Sequence, residues 1–146
     1  MEQTRKQLKI SSFLVLLFAG LSLLNLISEL AFGEINNAAM PEGAPENILL
    51  ITKIILISLS VIFLLPQIYV GVKGFMEAKN PTFARAHIVW AKILFVLSVI
   101  AMITPLVEIF KWNSVFANVS EFFSILVEAL VFFEYIKYAT AFSKGN

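Results

Sequence analysis

The sequence predicts an all-α integral membrane protein: a four-helix bundle, antiparallel and up-down-up-down, with both termini cytoplasmic. Three observations predict it. The chain has 146 residues, 59% of them hydrophobic, and a mean hydropathy of +0.86. Soluble domains hold about 45–50% apolar residues even with glycine counted, and a chain this short has too little interior to hide the excess. The excess is gathered into four continuous runs, each near the length of about 20 residues that crosses a hydrocarbon core. Finally, the lysines and arginines fall mainly on one side of those runs.

The spans lie at about 10–32, 48–72, 87–110 and 115–139, within one transmembrane domain covering 1–146. Lipid admits only helices and closed barrels, because every backbone group must be satisfied internally. The runs do not alternate, so they are helices. The outer loop, 33–47, holds Asn36, Asn37, Pro41, Gly43 and Pro45, residues that suit turns. The second connection, 73–86, is expected to be a cytoplasmic loop broken at Lys79-Asn80-Pro81. Phe75, Met76 and Phe83 would dip into the interface while Lys79 and Arg85 face phosphates. The third connection, 111–114, is short, which makes spans three and four antiparallel neighbours.

Orientation follows from the basic residues. Arg5, Lys6 and Lys9 precede the first span, Lys73, Lys79 and Arg85 lie in the second connection, and Lys137 and Lys144 close the chain. The outer loop has no lysine or arginine and carries Glu34, Glu42 and Glu46; the third connection has only Lys111. The termini and the middle loop are therefore cytoplasmic, in a plasma or inner membrane. The first span is expected to stay uncleaved, since it exceeds the usual 7–15 apolar residues of a signal peptide. Trp90, Trp112, Tyr69, Tyr135 and Tyr138 fall near span ends and read as interface anchors.

Composition also limits function. Charged residues are 14% and the net charge is +1, so no strong field points to nucleic acid. There is no cysteine, which removes disulfides and thiolate metal sites. No catalytic motif, metal-ligand cluster or cofactor fingerprint is present, so neither metal nor cofactor is expected.

Ionisable residues inside a span need a partner, a route to the interface or a task. Glu29, Lys53, Glu108 and Glu121 lie toward the outer face. Lys53 is expected to pair with Glu29 or Glu121. Lys92 and Glu134 match in depth near the inner face and are expected to pair. His87, at the boundary, is expected to be solvated. Glu128 is different: it lies about 20 Å from the outer end of the fourth span at the helical rise, with no lysine or arginine at its depth. A protonatable group there is an ingredient of a proton relay or cation site, or a structural acid bonded to a neighbouring helix.

Further polar residues fall at helical spacing. Glu121, Ser124 and Glu128 share a face of span four, and Lys53, Ser60 and Gln67 share one of span two. Asn25 and Glu29 cluster with Ser22 and Ser28 on span one, and Ser98, Pro105 and Glu108 follow one face of span three. Such stripes are expected to meet at the bundle centre, where small and polar residues let membrane helices associate. Pro66 and Pro105 interrupt the hydrogen bonding of their spans.

Pro66-Gln67 resembles the proline-glutamine signature of PQ-loop and SWEET transporters, which are built from three-helix repeats; here four spans contain no second copy. Arg85-Ala86-His87 resembles a fragment of the MAPEG motif, but Val89, Trp90 and Ala91 stand where that family continues with asparagine and glutamate. Neither family is assigned.

Three functions remain. The foremost is a proton- or cation-coupled transporter or channel-like protein, acting as a homo-oligomer. Glu128 would be its binding group, and Gln67, Ser60, Ser124, Glu121, Lys53, Asn25 and Glu29 would line the route. The second is an accessory subunit whose apolar faces, with Phe122, Phe123, Phe132 and Phe133, contact lipid or a membrane-protein partner. A lipid-acting enzyme ranks last, because no nucleophile–base pair or closely paired carboxylates are evident.

Overall fold

The computed structural model describes residues 2–32, 46–82, 84–112 and 114–144. The protein is all-α: α1 (Glu2–Phe32), α2 (Glu46–Lys79), α3 (Ala86–Ala101), α4 (Ile103–Phe110) and α5 (Val115–Lys144). The helices α3 and α4 together form the third span, so four long apolar segments suit a membrane bundle. The outer loop expected over 33–47 falls outside the described residues, apart from the first residues of α2. Met102 separates α3 from α4. Pro105 has no N–H to give to the Ala101 carbonyl. The flanking bonds, Met102 N–H to Ser98 O at 3.1 Å and Leu106 N–H to Met102 O at 3.3 Å, carry the helix across.

The helices run further than the hydropathy predicts. The first begins at Glu2 instead of 10, the second continues to Lys79 instead of 72, and the last reaches Lys144 instead of 139. The expected loop over 73–86 is thereby corrected to a connection of 80–85. Hydropathy marks only what must lie in hydrocarbon, whereas packing holds the polar ends helical. Val70, Gly71, Gly74, Glu77 and Ala78 continue the buried face of α2 at intervals of one or three residues. Pro81 cannot donate to a continuing helix, and the last bond is Asn80 N–H to Met76 O at 2.8 Å.

Arg5 closes that end. Its Nε donates to the Ala78 carbonyl, and its Nη2 donates to the Lys79 carbonyl at 2.6 Å. Helix ends leave orphan carbonyls that need such donors. Arg5→Ala is expected to lower stability by about 1–2 kcal/mol, the range for losing charged hydrogen bonds that are partly solvated. Chemical unfolding in detergent measures it, and an unchanged midpoint would show that water replaces the guanidinium.

The four spans form a ring, each packing mainly on two others: α1 packs on α2 and α5, α2 on α3, and α3 and α4 on α5. The start of α1, the end of α2, the start of α3 and the last part of α5 share one end, here the terminal end. The main core lies there, built from Leu8, Val15, Val70, Leu94, Phe132 and Tyr135 with their neighbours. Close approach is possible because α2 presents Gly71 and Gly74. A Cβ on Gly71 would lie 2.6 Å from Leu16 Cγ, and one on Gly74 would overlap Tyr135 and the Ser12 hydroxyl. Toward the opposite end, buried side chains thin out to a few such as Leu26, Leu64 and Pro105.

Three aromatic and histidine placements are corrected. Phe132 belongs to the core, at 1% exposure, while Phe123 and Phe133 face outward. Tyr135 is fully buried and His87 is 3% exposed, so Tyr135 is no exposed anchor and His87 is not solvated. The extra helical turns at the terminal end enclose both. The tight third connection places Trp112 and Ser114 at φ 57° and 44°, left-handed values that let the chain reverse within a few residues.

Candidate functional site

The Glu128 carboxylate finds its partner on α2. Gln67 Nε2 donates to Glu128 Oε1 at 2.6 Å, across 61 residues of sequence. Gln67 is 9% exposed, and its other amide atom, Oε1, has no hydrogen-bond partner. A buried polar atom without a partner is costly and rare in native proteins. The amide therefore holds Glu128 with one end and leaves an acceptor unused at the other.

Gln67 also forms the inner wall of a cleft between α1 and α2. The cleft has a volume of about 270 Å³, with Ser22, Asn25 and Ser60 as further polar lining and Leu26 and Phe63 among its apolar walls. Its polar lining comes from the half of the bundle away from the terminal end. Gln67 thus stands between the cleft and Glu128. The Ser60 hydroxyl donates to the Leu56 carbonyl at 3.0 Å in its own helix, which leaves its oxygen lone pairs as acceptors.

The other sequence candidates lie apart from this pair. Ser124 and Glu121 share the stripe of Glu128 but are exposed. Asn25 lines the cleft, and Lys53 is partly buried further along α2. Of the two partners expected for Lys53, Glu29 has a side chain outside those described, and Glu121 is exposed. Glu134 is bound by Lys137 at 3.3 Å, not by Lys92: a residue three positions along the same helix is always within reach, whereas depth alone says nothing of which face Lys92 occupies. Glu108 likewise pairs with Lys111, at 2.9 Å.

A second polar cluster, unforeseen in the sequence, occupies the terminal end. Glu77 is 4% exposed within membrane-spanning α2. Its carboxylate accepts from the Thr82 N–H at 2.9 Å and from the Thr82 hydroxyl. It locks the turn after α2. Beside it, the Tyr135 hydroxyl donates to the Val70 carbonyl at 3.0 Å and lies 2.7 Å from His87 Nδ1. A hydroxyl has one hydrogen, so both contacts are satisfied at once when His87 donates from Nδ1. The ring of His87 meets Tyr135 edge-on at a centroid distance of 6.0 Å. The available signal was the pair of small residues Gly71 and Gly74, a residue type enriched where membrane helices pack closely, followed by an acid three residues on.

Tyr135 and Glu128 lie seven residues apart on α5, about 10.5 Å at the helical rise. Between them Phe132 is buried and the helices are in close contact. The Glu128–Gln67 pair is therefore adjacent to the cleft on one side and to a packed apolar layer on the other. Comparison with protein-family models, curated proteins and solved structures finds no match.

Proposed function

We propose that this polytopic membrane protein is a small proton- or cation-coupled transporter or channel-like protein, in which Glu128 and Gln67 form the binding centre. The observation that carries the reading is the unpartnered Gln67 Oε1 beside the Glu128 carboxylate at the inner wall of a polar cleft. A carboxylate, an amide oxygen and hydroxyl oxygens together offer acceptors to a hard cation or a proton donor. In the proposed topology the helices run up-down-up-down with both termini cytoplasmic, as the basic residues favour. The cleft then opens outward, and the Phe132–Tyr135 layer closes the inner side.

Water access tests the reading. The chain has no cysteine, so each introduced thiol reports alone. Ser60→Cys, in the cleft, is expected to react with a membrane-impermeant thiol reagent in sealed vesicles. Ser12→Cys, buried against Tyr135 and Gly74, is expected to stay unreactive. In proteoliposomes, Glu128→Gln should abolish proton or cation flux while the protein still elutes as a folded species. Flux that survives Glu128→Gln would remove the carboxylate from the mechanism.

The thin packing of the outer half favours a second reading, an accessory subunit whose exposed faces, including Ile51, Ile55, Ile62 and Phe123, pack against another membrane protein. That reading expects the thiol of Ser60→Cys to be dry and unreactive in the native assembly, and no flux from the purified chain. Oligomerisation of the chain itself would meet the same exposed surface under the first reading, since four helices enclose little volume.

A further inference from the structure

Across the lipid-facing seam between α3 and α5, at the terminal end, runs a groove of about 510 Å³. Its lining includes Lys92 from α3 and Phe133, Ile136, Lys137, Thr140 and Lys144 from α5. We propose that this groove binds an anionic phospholipid, with the headgroup phosphate held by the lysines and an acyl chain lying along Phe133 and Ile136. The inference is independent of any transport activity.

Three features support that occupant. The first is the polarity along the groove. Phe133 and Ile136 lie toward the membrane interior along α5, and Lys137, Thr140 and Lys144 follow toward its end. Lys137 and Lys144 are seven residues apart and so share a face, about 10.5 Å apart along the axis. Apolar walls followed by cations match the order of a lipid from chain to headgroup. Inorganic phosphate would use only the second part.

The second feature is uncompensated charge. Lys137 has Glu134 at 3.3 Å, but Lys92 and Lys144 make no ion pair or hydrogen bond among the described residues. Lys92 starts about 9 Å into its span, six residues after Ala86 at the helical rise. A bare ammonium at that depth is costly unless it reaches the interface or meets a counter-ion. A phosphate at the headgroup level supplies one, and Lys92 can extend its stem along apolar surface to reach it.

The third is position. The groove lies at the end where Arg5, Lys6, Lys9, Lys73 and Lys79 also gather. Basic pockets between membrane helices on that side suit anionic headgroups. A zwitterionic lipid carries its own cation and gains less from the three lysines.

The test is lipid retention by native mass spectrometry after reconstitution in equal parts phosphatidylcholine and phosphatidylglycerol. The wild type is expected to keep phosphatidylglycerol in preference. Each lysine near the surface contributes about 1 kcal/mol toward an anionic lipid, so Lys92→Gln should reduce the preference about fivefold. The triple variant Lys92→Gln, Lys137→Gln, Lys144→Gln should lose it. Lys92→Arg keeps the charge and should keep the lipid, which separates charge from misfolding. A matched variant outside the groove, Lys6→Gln, Lys9→Gln, Lys79→Gln, should retain the preference. The proposal is overturned if the groove triple keeps its lipid, if the matched variant loses as much, or if inorganic phosphate displaces phosphatidylglycerol as effectively as free lipid does.

Discussion

Alanine at Gly74 is expected to destabilise the protein by about 1–3 kcal/mol, the range for overpacking a filled site, while alanine at Gly20 is expected to stabilise it by up to about 1 kcal/mol. The two substitutions are chemically identical and both lie in helices. Removing a glycine from a helix interior normally helps, because glycine loses the most backbone freedom on ordering. At Gly20 nothing lies within 4 Å of the new methyl, so only that gain operates. At Gly74 the methyl meets the Tyr135 ring and the Ser12 hydroxyl. Tyr135 cannot retreat without giving up its bonds to Val70 and His87. The penalty outweighs the propensity gain, and the sign reverses. Unfolding midpoints for the pair decide the matter; equal shifts would mean that α2 does not approach α5 this closely.

The second large effect is non-additivity between Gln67 and Glu128. Gln67→Leu strips the carboxyl of its bond, and Glu128→Leu leaves the buried amide with neither end paired. Each is expected to cost about 1–3 kcal/mol, the penalty for an abandoned buried polar group. Leucine at both positions removes the polar pair entirely, and this double variant is expected to be close to wild type or more stable, as when buried polar groups give way to apolar packing. The coupling should reach about 1–3 kcal/mol, as for directly bonded residues. Costs that simply add would show that the 2.6 Å bond contributes nothing. A double variant that is stable yet inactive would separate the pair's role in transport from any role in holding the helices.

Much of the fold is legible because hydrocarbon imposes a simple length and polarity requirement. The four apolar segments follow from it, as does the prominence of Glu128, a carboxyl too short to leave the membrane from its depth. The ends of the helices were not legible, since beyond the hydrocarbon it is packing that keeps residues such as Gly74 and Glu77 helical. Contacts between helices were legible only in part. Spacing puts Gln67 and Glu128 on polar stripes but does not say that they touch, and it puts Ser124 and Glu121 on the same stripe although both are exposed. Glu134 and Lys92 have matching expected depths, yet Glu134 pairs within its own helix. Tyr135 and His87 read as interface residues because their burial depends on four helices converging at one end, a property no single segment carries.

The uneven distribution of the core has a consequence for biogenesis. Leu8 and Val15, near the start of the chain, pack in the same cluster as Phe132, Tyr135 and Phe142. During synthesis the spans before α5 can enter the membrane one by one, but the cluster stays incomplete until α5 leaves the ribosome. Until then Gly74 lacks the Tyr135 ring that packs on it, and His87 has no hydroxyl to meet. A nascent chain halted before Phe132 is therefore expected to be inserted yet unassembled, a substrate for membrane proteases and for any chaperone that guards helices awaiting their final neighbour.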